Sequence, residues 1–370
     1  YVPTGRAVPA VFDRADGLID RRAPLDPSLP ERIRKRWVGN IDAFLTEQCI
    51  STPGTELANM HLTEVSRGCR RGCRFCAAGF VCRPARFRSA GTLTGSFSRG
   101  IEGKKRIGLL GTAVSDHPEL AAICSDILDR KGRAAVGSLR IDRVDARIAA
   151  LLKRSGVETV ALAPEAGTQR LRDVIRKGIT EEQILAAAGT LASEGILKIR
   201  LYFMVGLPTE TDEDVEAVIH LSRAVRDYAL QCCTGKKPLQ RLTLSINQFI
   251  PKAATPFQWH PLEDIRSVRG KIRRIAEVMR RELLIRVIHD LPKWNLIQAL
   301  LSLGDRRTGE ILLAVHGRQG NWSRVLKEAS VPPEFYVYRS RSREEILPWD
   351  FIDHGVDRDF LWSEYRKALA

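Results

Sequence analysis

The sequence contains no apolar run long enough to cross a bilayer and no signal-peptide pattern, so a helical membrane span is not expected, and the expected setting is cytoplasmic with no membrane partner. It has no internal repeat and no low-complexity tract, so no repeat architecture is expected. Its eight cysteines form no disulfide framework: three crowd into one loop and Cys232 and Cys233 are adjacent, a usage that fits a reducing compartment and metal chemistry. His117, His260, His289 and His316 are scattered, without a His-plus-carboxylate spacing for a metal. No zinc-finger or RNA-reading aromatic motif accompanies the net charge of +15. That excess is spread over Arg32, Arg34, Lys35 and Arg36, over Lys104-Lys105-Arg106, and from Arg266 to Arg286. Such spreading reads as solvated surface, and nucleic acid is not the favoured partner. The chain begins at Tyr1 rather than methionine, which reads as a fragment or processed form of a longer protein.

What is present is an alternating pattern. The 370 residues suffice for one large α/β domain and a smaller one. Residues 1–60, rich in Pro, Arg and Asp, read as an N-terminal lead-in or linker with one helix near residues 30–49. Residues 61–260 alternate short apolar runs with helical patterns, the mark of parallel strands joined by helices. The expected strands are His61–Val65, Arg106–Thr112, Ala135–Arg140, Thr159–Ala163, Lys198–Val205 and Arg241–Ile250. Between them, Val144, Ile148, Leu151 and Leu152 make one apolar stripe stopped by Gly156, and Thr180 with Gln183 makes a capping box for a helix stopped by Gly195. Thr211 caps an acid-rich first turn of Asp212, Glu213 and Asp214, which faces the positive end of the helix dipole. Six β/α units suit an open, partial (β/α)6 barrel, with ligands at the carboxyl ends of its strands. Residues 261–370 begin with an amphipathic helix (Ile265, Val268, Ile272, Ile275, Met279) and continue as an α-rich C-terminal extension with many late aromatics, packed on the barrel or over its mouth.

The densest chemical signal is Cys69, Cys73 and Cys76, spaced C-x3-C-x2-C after the first strand. A cubane iron–sulfur cluster ordinarily takes four thiolates. Three close thiolates leave one iron open, as an open position does in a catalytic metal site. Gly68 and Gly72 allow the backbone close to a cluster, and Arg67, Arg70, Arg71 and Arg74 would offset its negative charge. A zinc site or an ordinary buried cysteine cluster is the alternative, but no fourth ligand stands at usual zinc spacing. Cys82, six positions after Cys76, would close the open iron if it were a ligand; it reads instead as a small buried hydrophobe or a free thiol nearby.

With Phe75 just before its last cysteine, this loop resembles that of the radical S-adenosylmethionine (SAM) superfamily. The segments Ala163–Leu171 and Gly206–Asp214 resemble the methylthiotransferase-like branch. Phe249-Ile250-Pro251-Lys252, Thr255–Trp259 and Gly304-Asp305-Arg306-Arg307 resemble an uncharacterised group of radical SAM proteins that usually carry an N-terminal cobalamin-binding domain. No Asp-x-His-x-x-Gly cobalamin signature occurs here, so such a domain is expected only upstream of Tyr1. The resemblance implies a [4Fe-4S] cluster on Cys69, Cys73 and Cys76 whose free iron chelates SAM. An electron from a donor such as a flavodoxin or ferredoxin would cleave SAM to methionine and a 5′-deoxyadenosyl radical, which abstracts hydrogen from a substrate. It implies SAM contacts at Phe75, at Gly111 and Thr112 after strand two, at Ser138 and Arg140 on strand three, at Glu165 ending strand four, at Arg200 on strand five and at Asn247 on strand six. Arg140 and Arg200 are the candidates for the SAM carboxylate, since a guanidinium binds it bidentately. Ser115 and Asp116 either belong to this site or cap the next helix. Three further readings stand beside it: a cobalamin-dependent radical SAM methyltransferase in the full-length protein, a tRNA-modifying methylthiotransferase, and a non-catalytic metal-binding interaction module.

Overall fold

The structure, a computed structural model, describes residues 9–24, 27–28, 30–50, 53–54, 57–103, 105–235 and 237–370; Tyr1 and Lys104 lie outside the described residues. All six expected barrel strands form: β1 (Met60–Glu64), β2 (Arg106–Leu110), β3 (Ala134–Val136), β4 (Thr159–Glu165), β5 (Lys198–Val205) and β6 (Arg241–Gln248), but β3 stops at Val136, so Ser138 and Arg140, expected on it, fall in the loop that follows. They pair in parallel as β1–β2–β3 and β4–β5–β6, and a parallel bridge between Leu139 and Leu162 joins the two sets. Alternation decides the faces. On β5, Ile199, Leu201, Phe203 and Val205 are buried in the layer shared with the helices, so Arg200, Tyr202 and Met204 point to the barrel interior.

The crossover helices are α1 (Ala90–Glu102), α2 (Leu120–Asp129), α3 (Ala146–Arg154), α4 (Gln169–Val174), α5 (Glu181–Ser193) and α6 (Asp212–Gln231). Their ends follow the sequence signals. Thr180 with Gln183, and Thr211 with Asp214, form reciprocal capping boxes. Gly156 and Gly195 take positive φ, +73° and +78°, where a Cβ would be strained. The amphipathic helix α7 (Ile265–Met279) buries Val268, Ile272, Ile275 and Met279.

The sheet continues beyond the six expected strands. A seventh, β7 (Ile285–His289), follows α7 and pairs in parallel with β6. At the other end, the edge of β1 is covered by residues 46–48: Gln48 N–H donates to the Leu62 carbonyl at 2.8 Å and Glu64 N–H to that of Thr46 at 3.0 Å. Pairing of this kind hides an otherwise open ladder.

The helix expected near residues 30–49 does not form. Gly39 and Asn40, both poor helix formers, interrupt the segment, and it anchors instead through Ile41, which is buried, while Trp37, Val38 and Phe44 stay exposed. The segment is extended instead: Ile33–Arg34 pairs in parallel with Ile352–Asp353, and a hairpin of Pro9–Asp13 and Ile19–Pro24 precedes it. The lead-in is strapped to the segment that follows the cysteine loop. Lys35 Nζ donates to the carbonyls of Val81 (2.8 Å) and Arg83 (2.7 Å), and the buried Arg88 donates to the Ile41 carbonyl, to Thr46 and to Glu64.

The C-terminal extension is α-rich: α8 (Pro292–Leu303), α9 (Thr308–Gly317), α10 (Trp322–Glu328), α11 (Pro333–Val337) and α12 (Arg358–Leu369). Helix α12 lies against the Pro256–Trp259 turn and α4, with Trp259 and Trp362 edge-to-face at 5.1 Å, so the late aromatics build an apolar cluster on the carboxyl side of the barrel. Among the described residues no helix is long and apolar enough to cross a membrane.

Candidate active site

The cysteine loop leaves the carboxyl end of β1 and is closed at its base by antiparallel pairing of Ser66–Arg67 with Arg86–Phe87. Gly68 sits at φ +85°, and a Cβ there would come within 2.2 Å of the Cys82 carbonyl oxygen, so only glycine fits. Cys69, Cys73 and Cys76 line one cavity of about 340 Å³. Its other walls are the loops after β2 (Gly111–Ser115) and β3 (Gly137–Ile141), the end of β4 (Ala163, Glu165), and Lys177. These are the carboxyl ends of four neighbouring strands, the place where parallel sheets gather ligands.

The four loop arginines, expected to offset cluster charge, mainly fasten the loop. Arg67 grips Glu64 in a fork at 2.8 Å, Arg70 stacks 5.1 Å from the Phe87 ring centre, and Arg74 bonds Glu364 of α12 at 3.3 Å and the Val174 carbonyl at 2.8 Å. Only Arg71 is on the cavity wall as well. It binds Asp116 at 3.0 and 2.8 Å and Asp142 at 3.1 Å, which pushes its guanidinium pKa further up. Burial alone would raise the Asp116 carboxyl; the Arg71 hydrogen bonds and the charges of Arg71, Arg140 and Arg143 outweigh it and hold the group below its usual range. Burial pushes the Cys69 and Cys73 thiols up, with the Arg71 backbone N–H, 3.3 Å from Cys69 Sγ, pulling the other way.

Two polar groups are unusual. Arg140 bonds Asp142 through Nε at 2.9 Å, and its backbone N–H donates to Ser115 Oγ at 2.9 Å, but its Nη2 is buried with no partner among the described residues. Glu165 takes φ +71°, a costly conformation for a residue with a Cβ, and is paired to Lys177 at 2.9 Å. Lys177 Nζ in turn lies 5.9 Å from the centre of the Phe75 ring.

Of the residues singled out from sequence, the structure brings Cys69, Cys73, Cys76, Phe75, Gly111, Thr112, Ser138, Arg140 and Glu165 to this one cavity. It does not bring Arg200 or Asn247 to the wall. Arg200 faces the barrel interior beside Ala161 and Thr243, with a buried, unpartnered Nε. Asn247 lies further round, its amide 3.2 Å from Asp290. The Cys82 backbone packs behind Gly68, and its side chain is not on the cavity wall. Ser115 and Asp116 do not cap α2; they tie loops together. Lys177, Asp142 and Glu364 escaped sequence reasoning. Lys177 follows Glu165 by 12 residues in the same β4–α5 connection, the one signal that could have flagged it, whereas Glu364 is 290 residues from Arg74.

The segments Ala163–Leu171 and Gly206–Asp214 also meet. Arg170 donates to the Thr209 carbonyl at 2.9 Å, Thr168 to Asp214 at 2.5 Å, and a Cβ on Gly167 would come within 2.4 Å of the Val218 nitrogen.

Three cysteine thiols of one loop on one cavity are a donor set that fits an iron–sulfur cluster. Among the described residues no group of three or more His, Cys, Asp or Glu is drawn together tightly enough to hold one metal ion, although the three cysteines share a cavity. The buried, unpartnered Arg140 Nη2 adds a donor suited to a carboxylate in the same cavity.

Residues 63–222 match the family described as the Radical SAM superfamily. Those residues form a radical SAM domain, of a superfamily whose members are enzymes that use a [4Fe-4S] cluster and SAM. It is 34% identical over 253 residues to the uncharacterised protein MJ0966 of Methanocaldococcus jannaschii, covering 68% of this chain and 53% of that protein. It is 33% identical over 93 residues to the uncharacterised methyltransferase PH0819 of Pyrococcus horikoshii, covering 25% of this chain and 20% of that protein. The chain thus spans about half the length of the first of these relatives and less of the second. Among solved structures, the radical SAM methyltransferase TsrM from Kitasatospora setae aligns over 50% of this chain and 35% of its own, with a TM-score of 0.41 and 16% identity.

Proposed function

We propose that this chain holds a [4Fe-4S] cluster on Cys69, Cys73 and Cys76, binds SAM at the open iron and cleaves it reductively to begin hydrogen abstraction from a substrate. The observation that supports this most is the convergence of three thiols of one loop with an unpartnered Arg140 Nη2 in a single cavity at the strand ends. When bound, the cluster and SAM supply one-electron chemistry that releases the 5′-deoxyadenosyl radical.

The chain's own residues do the rest. Arg140 Nη2 donates to the SAM carboxylate, while Asp142 and the Ser115 hydroxyl hold the guanidinium and its backbone in place. The carbonyls of the Gly111–Ala113 turn, on the cavity wall, would receive the SAM amino group. Glu165, held by Lys177, accepts from the ribose hydroxyls, and Phe75 lies against the cofactor and sheds water. The fastened loop, with Arg74 on Glu364 and Arg71 on Asp116 and Asp142, fixes the cysteines' backbone. The electron comes from a partner such as a flavodoxin or ferredoxin.

Anaerobic reconstitution with iron and sulfide tests the reading: the reduced cluster's electron-spin signal should change on adding SAM, and dithionite should yield 5′-deoxyadenosine. A cluster indifferent to SAM would sink it. A second reading, methyl transfer in the full-length protein with cobalamin as a further cofactor, is favoured by the similarity to the uncharacterised methyltransferase PH0819. Formation of S-adenosylhomocysteine alongside 5′-deoxyadenosine by the full-length protein would support it; its absence with cobalamin and substrate present would remove it.

A further inference from the structure

A second, larger cavity of about 440 Å³ opens between the N-terminal hairpin, the Ile352–Asp353 strand and α12, and it shares no residue with the cysteine cavity. Its inner wall carries three orphaned nitrogens. Arg22 has Nε and Nη1 buried without a hydrogen-bond acceptor among the described residues, and His354 has a buried, unpartnered Nδ1. The Arg22 guanidinium carbon lies 5.7 Å from the Phe351 ring centre, so one face is covered by an aromatic while the N–H edge lacks a partner. Asp350 acts on Arg22 by charge at a distance, but its hydrogen bonds go elsewhere: its Oδ2 accepts the Leu347 N–H at 2.8 Å and Arg358 at 2.6 Å.

The charge balance points the same way. Leaving aside Arg21, which has a partner of its own, three arginines (Arg22, Arg32, Arg358) line the cavity against two acids, Glu31 and Asp350. A half-buried cation with unsatisfied donors in a net positive cavity is costly unless an anion completes it. Water can satisfy the N–H groups but not the charge. The space also exceeds what a bare oxyanion fills and falls within the range of small-molecule sites. Trp349 and Phe351 offer apolar wall for an organic body.

We infer that this cavity binds a small organic oxyanion, its phosphate or carboxylate received by Arg22 and His354 and its body resting against Trp349 and Phe351. The inference is independent of the chemistry proposed at the cysteines; either can fail while the other stands.

Calorimetric titration of the cluster-loaded chain with phenyl phosphate, benzoate and uncharged benzyl alcohol tests it. Both anions should bind and the alcohol should not; whichever anion binds more tightly names the headgroup. Arg22→Met, which keeps the stem and removes the fork, should weaken anion binding by at least about tenfold, the worth of one charge-assisted hydrogen bond. Arg140→Met should leave it unchanged. If Arg22→Met does not give a folded spectrum, His354→Leu replaces it, with a several-fold loss expected. Failure of both anions to bind, equal binding of the alcohol, or full affinity in the folded variants overturns the inference and leaves a water-filled cavity only.

Discussion

At the scale of single residues, the proposed site separates groups that would hold cofactors from groups that hold the loop. Cys76→Ala should lower iron content and reduce 5′-deoxyadenosine formation by no less than about 100-fold, the upper end of what even an outer-shell change costs. Arg140→Met should leave iron content intact but raise the KM for SAM by roughly 10–100-fold, as expected from losing charge-assisted hydrogen bonds. A different residue should govern acid sensitivity. His260, buried against Phe249, Phe257 and Tyr365, has its pKa pushed down by burial from 6.5 to about 4. Above 6.5 the ring is neutral whether the chain is folded or not, and its packing is fully favourable. Between 6.5 and about 4 the unfolded chain takes up a proton that the folded chain refuses, so stability falls with pH by about 3 kcal/mol in total. Urea midpoints across that window should drop for the parent and drop less steeply for His260→Gln, the remaining slope coming from carboxylates such as Asp116 that are held below their usual range.

At the scale of elements, the loops after β4 and β5 act through close backbone approach. A Cβ on Gly167 would press within 2.5 Å of the Ala217 carbonyl carbon in α6. Gly167→Ala should therefore cost about 1–3 kcal/mol, as overpacking does, in a denaturant titration with unchanged slope. The helix signals were legible because they are local: caps at Thr180 and Thr211, stops at Gly156 and Gly195, and the apolar stripe of α7 all read from adjacent residues. Strand β7 was missed for the converse reason. Its five residues follow α7 after a few turn residues and are only half-buried, so neither length nor alternation marks them. The absent helix near residues 30–49 had charges and apolar residues at helical spacing (Ile33, Trp37, Ile41, Leu45), but Gly39 and Asn40, poor helix formers, interrupt it. Pairing of Ile33 with Ile352, far along the chain, decided its shape.

At the scale of the whole molecule, the candidate site was legible wherever a motif sat at the end of a strand, since topology then delivers it to the same rim. That is why Gly111, Ser138, Arg140 and Glu165 meet the cysteines. Arg200 and Asn247 show the limit: alternation tells which face a side chain takes, not how far round the barrel it stands. Arg74–Glu364 could not be read at all, because nothing local links a cysteine loop to a helix near residue 364. Glu364→Gln would leave the buried Arg74 without its countercharge and should cost about 3–5 kcal/mol, the usual result of breaking one partner of a buried pair. Thermal melts would register that loss, and a faster release of iron to a chelator would show that the latch also guards the cluster loop.

The length of chain between those two partners has a consequence for biogenesis. Arg74 and Glu364 are 290 residues apart. At ribosomal speeds of about 5–20 residues per second, the cysteines emerge roughly 15–60 s before the latch that secures them. On the proposed function, a nascent protein exposes its thiols to iron–sulfur delivery while the loop is still unfastened, and the emergence of Glu364 shuts that window.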